Sequence, residues 1–146
     1  MGNPILGNDS LGLYVARRLK EALKGKNVEV VEVWQNHFSV VDKMAKSERV
    51  IVVDALKLPE LEEGEIVKLP LDEFPSDLVT PHGFSLVDAV RAYEVVYSVN
   101  ISRKVVVYGV NIKGEDFGEG LSEEVKAKAD ALVAEVLEEV RTLGAC

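Results

Sequence analysis

Three residues of types that bind metal ions or move protons stand beside predicted structural elements. Asp9 directly precedes a predicted first helix, and Asp54 ends the apolar run of residues 50–53. His82 lies in a loop that precedes a later predicted helix. Two carboxylates and one imidazole on converging loops can bind a divalent transition ion and leave coordination positions open. The pattern is therefore consistent with a metal site or an acid–base site.

Each of these residues also has a purely structural interpretation. Asp9 can cap the helix that follows it, and Asp54 can be a structural carboxylate. His82 can hydrogen-bond to the backbone of its own loop. Because no short motif links the three residues along the chain, their spacing leaves both interpretations open.

The glycine-containing start of the chain, MGNPILGNDSLG, does not match a nucleotide-binding loop. Its glycines lie five residues apart, whereas the dinucleotide-binding pattern is G-x-G-x-x-G. A phosphate-binding loop fails because Asn8, and not lysine, follows Gly7. The sequence also contains no H-E-x-x-H, G-x-S-x-G or C-x-x-C motif. Nucleotide binding is therefore disfavoured.

Helices and strands are predicted to alternate along the chain. Helical spacing of apolar residues predicts helices from Leu11, within residues 39–47, from Ser85 and from Ser122. Short β-rich segments predict strands at residues 28–33, 50–53, 65–69 and 104–110. The expected fold is α/β, a three-layer sandwich with helices on both faces of a mostly parallel, twisted sheet of about five strands. Such sheets bind ligands at the carboxyl ends of their strands, where the loops of Asp9 and Asp54 are expected.

Composition and charge favour a single domain over residues 1–146. Hydrophobic residues make up 47% of the chain and charged residues 29%, as in ordinary globular proteins. The net charge of −8 argues against nucleic-acid or anionic-membrane partners that need a broad basic surface. Cys146 is the only cysteine, and no apolar run is long enough for membrane insertion or typical of a signal peptide. We expect a cytoplasmic protein.

Taken in order, several segments of the chain resemble the hydrogenase maturation proteases. The loop GNPILGNDSLG (residues 2–12) is similar to the family's first motif, G-N-x-L-x-x-D-D/E-x-x-G. VVDA (residues 52–55) resembles the second motif, and TPHGFSLVD (residues 80–88) resembles the third. YGV (residues 108–110) and the helix start LS (residues 121–122) complete a match over essentially the whole chain.

The resemblance implies an endopeptidase that removes the C-terminal extension of a nickel–iron hydrogenase large-subunit precursor. It implies that Asp9, Asp54 and His82 bind nickel, which the precursor supplies and which other divalent ions can replace. It also implies that Asp9 and Asp54 are catalytic carboxylates of an aspartic-type peptidase. The main alternative is a non-cleaving binding module or chaperone that recognises the nickel-loaded precursor. A weaker alternative is another type of α/β hydrolase or a nucleotide-binding domain.

Two departures from the family pattern affect these expectations. Asn8 stands where the family usually has an acidic residue. The segment WQNHF (residues 34–38) replaces a loop of small residues. Its aromatic side chains are expected either to tune which precursor is accepted or to pack beneath the next helix.

The first loop of the family ordinarily follows a strand, and in this sequence only Met1 stands ahead of Gly2. We therefore expect the sheet to lack a strand next to that of Asp54, and the Asp9 loop to be displaced. A chain extended upstream by a strand of about five or six residues should be more stable. Thermal unfolding of the two versions tests this expectation, and equal melting temperatures would count against it.

Overall fold

The computed structural model describes residues 11–31, 37–56, 58–73, 86–111 and 122–142. Helices and strands in these ranges follow the order α1 (Leu11–Ala22), α2 (His37–Lys46), β1 (Val50–Leu56), β2 (Ile66–Pro70), α3 (Leu86–Tyr97), β3 (Val105–Asn111) and α4 (Glu123–Thr142). Short 3-10 turns, Leu71–Glu73 and Ser102–Lys104, follow β2 and precede β3. The four predicted helices are confirmed. No helix in these ranges is long and apolar enough to cross a membrane.

The sheet within the described ranges has three strands in the order β1-β3-β2. β1 pairs with β3 in parallel, and β2 pairs with the other edge of β3 in the antiparallel direction. The α/β class and the edge position of β2 are therefore confirmed. The prediction of about five mostly parallel strands is not confirmed, because the described sheet is smaller and mixed.

The strand predicted at residues 28–33 is wrong over residues 28–31, the part of it that the structure describes, since these residues belong to no strand. Val28 and Val30 nevertheless pack against the core beneath α1 and α4. A strand requires a hydrogen-bonded neighbour, and a cavity lies between these residues and β1. The apolar side chains of Val28 and Val30 thus account for the partial burial of the segment without sheet pairing.

Helices cover both faces of the sheet and create two cores. On one face, α1 and α4 pack against Val53 and Tyr108. On the other face, α2 and α3 pack against Val52 and Val107. Successive side chains of a strand point to opposite faces, so the neighbours Val52 and Val53 belong to different cores. The predicted three layers are present.

Glu94 of α3 holds the start of β3 in place through three hydrogen bonds. Its carboxylate accepts from the backbone N–H groups of Ile101 at 2.7 Å and Ser102 at 3.0 Å, and from the Ser102 hydroxyl at 3.0 Å. Burial raises the pKa of Glu94, but these donors lower it by more, so the pKa lies below its ordinary value. The ionised carboxylate therefore stabilises the turn that leads into β3.

Replacing Glu94 by glutamine should remove a pH-dependent part of the stability. Because the folded-state pKa is depressed, the carboxylate stabilises the fold above its unfolded-state pKa, and this contribution is lost as the pH falls through the folded-state pKa. E94Q should cost about 1.5 kcal/mol at pH 7 and less at about pH 3. Urea unfolding at both pH values measures this difference. The matched control is E60Q in an exposed turn, and an E94Q cost that does not change with pH would contradict the assignment.

Candidate functional site

Asp54 is a buried carboxylate near the end of β1. The residue is only 8% exposed. Asp54 and Asn111 are the only buried polar residues in the described ranges. Its side chain lies on the sheet face of Val52, since alternate residues of a strand share a face, and this is the face that α2 and α3 cover. Buried carboxylates are uncommon in folded proteins and are frequent at functional sites. The structure therefore places this predicted site residue where a functional carboxylate is expected.

A glycine lies beside Asp54 in the neighbouring strand. The parallel register pairs Asp54 with Gly109 of β3, and the antiparallel register pairs Gly109 with Val67 of β2. Paired residues on adjacent strands point to the same face, but Gly109 has no side chain to fill the position next to the carboxylate. Sequence reasoning matched Gly109 to a family motif without giving it a role. The register shows that β3 presents no side chain beside Asp54 on this face.

Asn111, at the end of β3, was missed by sequence reasoning. It is fully buried. Its side-chain Oδ1 accepts from the Leu58 N–H at 2.7 Å, and its Nδ2 donates to the carbonyls of Leu58, Leu61 and Glu62 at 3.1, 3.0 and 3.3 Å. Its backbone N–H donates to Glu65, and its carbonyl accepts from Gly64. The only sequence signal is that a polar residue ends an apolar run, as Asp54 does.

Asn111 therefore fixes the segment of residues 58–65 at the edge of the sheet where Asp54 lies. β1 ends beside Asn111, because Leu56 is its register partner. Helix α4 packs close to this segment, since a Cβ atom on Gly64 would lie 2.9 Å from Cγ of Lys128. Gly64 also has a φ of +83°, which favours glycine. The segment thus forms a fixed wall near the candidate site.

The elements that follow Asp9 and His82 are described, although these two residues lie outside the described ranges. Lys43 of α2 donates to Glu29 at 2.8 Å, which places the segment after α1 near the amino end of β1. Helix α1 therefore runs opposite to β1 and begins toward the end where Asp54 lies. Helix α3 begins four residues after His82 and covers the sheet face of Asp54.

Asp54 is consequently the only one of the three predicted metal ligands whose position the structure describes. Among the residues with described positions, no group of three His, Cys, Asp or Glu side chains could hold a metal ion. Trp34 and Cys146 also lie outside the described ranges. His37 and Phe38 form the first turn of α2, so the aromatic segment ends inside a helix. The combined ligand set stays a prediction.

Comparison with known proteins gives a consistent result. The family model described as hydrogenase maturation protease matches residues 13–139. A protein named as a hydrogenase maturation protease of Methanocaldococcus jannaschii is 31% identical over 147 residues, which cover 96% of this chain and 92% of that protein. The crystal structure of the NiFe hydrogenase maturation protease HycI from Thermococcus kodakarensis is 28% identical with a TM-score of 0.76, and covers 96% of this chain and 88% of that chain. HybD from the same organism is 25% identical with a TM-score of 0.73, with coverages of 95% and 93%.

Truncating Asn111 to alanine should destabilise the fold more than an exposed asparagine does. N111A leaves buried backbone groups of residues 58–62 without their partner, which should cost about 2–4 kcal/mol. The control is N100A, because exposed Asn100 accepts only one long hydrogen bond, from Arg103 at 3.4 Å, and should cost less than about 1 kcal/mol. Denaturant unfolding measures both values. Equal costs for the two variants would show that the buried hydrogen bonds do not hold the segment.

Proposed function

Because this chain belongs to the hydrogenase maturation protease family, we propose that it removes the C-terminal extension of a nickel–iron hydrogenase large-subunit precursor after nickel insertion. The observation that carries the proposal is the buried Asp54 carboxylate beside Gly109 at the carboxyl end of β1. The precursor is the protein partner, and its nickel is part of the substrate. The reaction takes place in the cytoplasm.

Asp54 is proposed to contact the nickel of the bound precursor together with Asp9 and His82. Carboxylates and imidazole both suit nickel, and the substrate's own ligands complete the coordination. Asp9 precedes α1 by two residues, and His82 precedes α3 by four. Both helices pack on the sheet that carries Asp54, which supports a convergence of the three residues.

Electrostatics gives a physical reason for dependence on nickel. In the proposed site the carboxylates of Asp54 and Asp9 come together as the precursor covers them, and like charges repel more strongly when water is removed. A divalent ion in the precursor offsets this repulsion. A precursor without nickel leaves the carboxylates uncompensated and should therefore bind weakly. The metal acts as a test that the precursor is loaded.

Cleavage of the peptide bond requires an activated water molecule. A carboxylate within hydrogen-bonding reach of that water can accept its proton, as in an aspartic-type peptidase. Asp54 and Asp9 are proposed for this role because they are the acidic members of the set. Gly109, which pairs with Asp54, is proposed to let the substrate backbone approach the carboxylate, and residues 58–65, held by Asn111, form a wall near it.

Removal of the Asp54 charge should abolish processing without unfolding the chain. D54N should lower the cleavage rate of nickel-loaded precursor at least about 100-fold and leave the melting temperature nearly unchanged. D9N and H82A should behave similarly, and the parent chain should leave nickel-free precursor intact. The appearance of mature large subunit on a gel measures the rate.

The matched control for D54N is D72N, which removes an exposed aspartate after β2 and should process normally. Processing by D54N at the parent rate would overturn its assigned role. If the parent chain binds loaded precursor but never cleaves it, the chain is instead the non-cleaving module. Cleavage of nickel-loaded and nickel-free precursor at equal rates would contradict the proposed dependence on nickel, but not the proteolytic activity.

A further inference from the structure

Four of the five exposed large hydrophobic residues in the described ranges lie close together at the end of α3. Val95 is 81% exposed, Val96 72%, Tyr97 62% and Val99 43%. These four residues and the exposed Ala92 are called the α3 patch. Contiguous exposed apolar surface is uncommon on a folded protein and marks an interaction site more often than isolated apolar residues do.

Most of the α3 patch lies on one side of the helix. Four of its members have the spacing i, i+3, i+4 and i+7, which forms one face of a helix: Ala92, Val95, Val96 and Val99. Ala89 belongs to the core between α3 and the sheet and is fully buried. The patch is therefore the outer side of α3, and it has the residue spacing of a helix–helix contact.

The turn after α3 fixes the end of the patch. The N–H of Val99 donates to the carbonyl of Glu94 at 3.3 Å, which is the long hydrogen bond of a Schellman motif. Ser98 between them has a φ of +53° and is the only non-glycine residue with a positive φ in the described ranges. Glycine is the usual residue at this position. The motif keeps Val99 at the helix end, so the apolar surface continues beyond the last helical residue.

Tyr97 is held in place from α2. Its ring centroid lies 4.4 Å from that of Tyr93, and the Tyr93 hydroxyl donates to Asp42 of α2 at 2.9 Å. Asp42 also accepts a hydrogen bond from Lys46 at 3.3 Å. An aromatic side chain that is already held loses little conformational entropy when a partner covers it. Tyr97 is therefore suited to be the anchor of an interface.

Basic residues predominate around the α3 patch, although the chain as a whole is acidic. Lys104, just before β3, donates to two backbone carbonyls at the end of α2, which joins the two segments around the patch. Residues 42–49 and 91–104 together contain six basic and three acidic residues, whereas the whole chain has a net charge of −8. Two of the three acidic residues, Asp42 and Glu94, accept hydrogen bonds within the protein. An apolar surface flanked by acidic side chains is complementary to this region.

The α3 patch is too small to hold a partner by itself. A stable protein–protein interface contains about 20–30 residues on each side, and the patch has five. Its occupant must therefore also be held elsewhere on this chain, as the precursor is at Asp54 in the proposed function. A second copy of the chain would instead bring two basic regions together.

One folded precursor can reach both the α3 patch and Asp54. The hydrogen bonds of Glu94 place the end of α3 beside the start of β3. Val105 at that start and Gly109, the register partner of Asp54, are four residues apart, which is about 13 Å along a strand. A small folded domain is about 30 Å across. The patch and the candidate site therefore fit beneath a single protein partner.

We propose that the α3 patch is a second docking surface for the hydrogenase precursor, which binds there through an apolar helix flanked by acidic side chains on its folded part. The inference rests on the proposed function, since the precursor is the occupant. Contact at the patch raises the effective concentration of the cleavable extension at Asp54. It therefore lowers KM and leaves the chemical step unchanged.

Steady-state cleavage of nickel-loaded precursor by the full chain tests the docking surface. V95D and V96D each place a carboxylate in the apolar stripe and should raise KM at least about tenfold, with kcat within about twofold of the parent. V95I keeps the apolar character and should keep KM within about twofold. The control is A134D on the exposed side of α4, which covers the opposite sheet face and should leave both constants unchanged. Because the substituted valines are exposed, the melting temperatures should stay close to that of the parent.

Charge reversal tests the acidic character of the occupant. Arg103 is exposed in the turn before β3. R103E should raise KM, and this rise should shrink as the salt concentration increases from about 50 mM to about 500 mM. K20E, which reverses an exposed charge on α1, should leave KM unchanged. Equal effects of R103E and K20E would contradict the assigned charge complementarity.

Binding measurements separate this inference from the proteolytic activity. If the parent chain cleaves no precursor, the proposed function fails, and the affinity of the precursor for the parent and for V95D tests the patch instead. A loss of at least about tenfold in V95D supports the docking surface. Precursor affinity and KM of V95D within about twofold of the parent values would overturn it, even with full proteolytic activity. A dimer of the parent chain that V95D dissociates without a change in KM would also overturn it, because a second copy would then be the occupant.

Discussion

The parallel pairing of β1 with β3 is the constraint on which the rest of the structure depends. Its register sets Asp54 beside Gly109 and Leu56 beside Asn111. The same pairing divides the apolar side chains between the two cores that the helices cover. A shift of one residue would move Asp54 to the face of α1 and α4. The position of the candidate site is therefore a consequence of the strand register.

The two buried polar residues at this edge of the sheet have different explanations. The amide of Asn111 bonds to backbone groups of residues 58–62, so its burial is fully explained by the connection that it holds. A carboxylate has only acceptor groups when ionised and is costly to bury. The proposed contact with a cation in the substrate gives Asp54 a functional role at this position, whereas Asn111 is explained by the connection that it holds.

The four described helices and the positions of the three described strands could be predicted from sequence because their signals are local. The stripes that begin at Leu11 and Ser122 correspond to α1 and α4, and the valine-rich runs correspond to β1 and β3. The antiparallel direction of β2 and the absence of a strand at residues 28–31 depend on neighbours distant in sequence. The contacts of Asn111 likewise join residues about fifty positions apart. Local patterns of apolar residues carry no signal for such pairings.

The candidate site could be predicted in part from local sequence patterns and in part only from contacts between residues distant in sequence. Asp54 was found from its position after an apolar run, and the resemblance to a family supplied its partners, Asp9 and His82. The position of Gly109 beside Asp54, and that of Asn111 beside Leu56, needed the register of β3. The proposed contact between Asp54 and the nickel of the bound precursor can be measured by nickel-edge X-ray absorption of nickel-loaded precursor, recorded alone, with the parent chain and with D54N. We expect additional oxygen or nitrogen ligands with the parent chain and fewer of them with D54N. Identical nickel spectra for the two complexes would show that Asp54 does not contact the nickel.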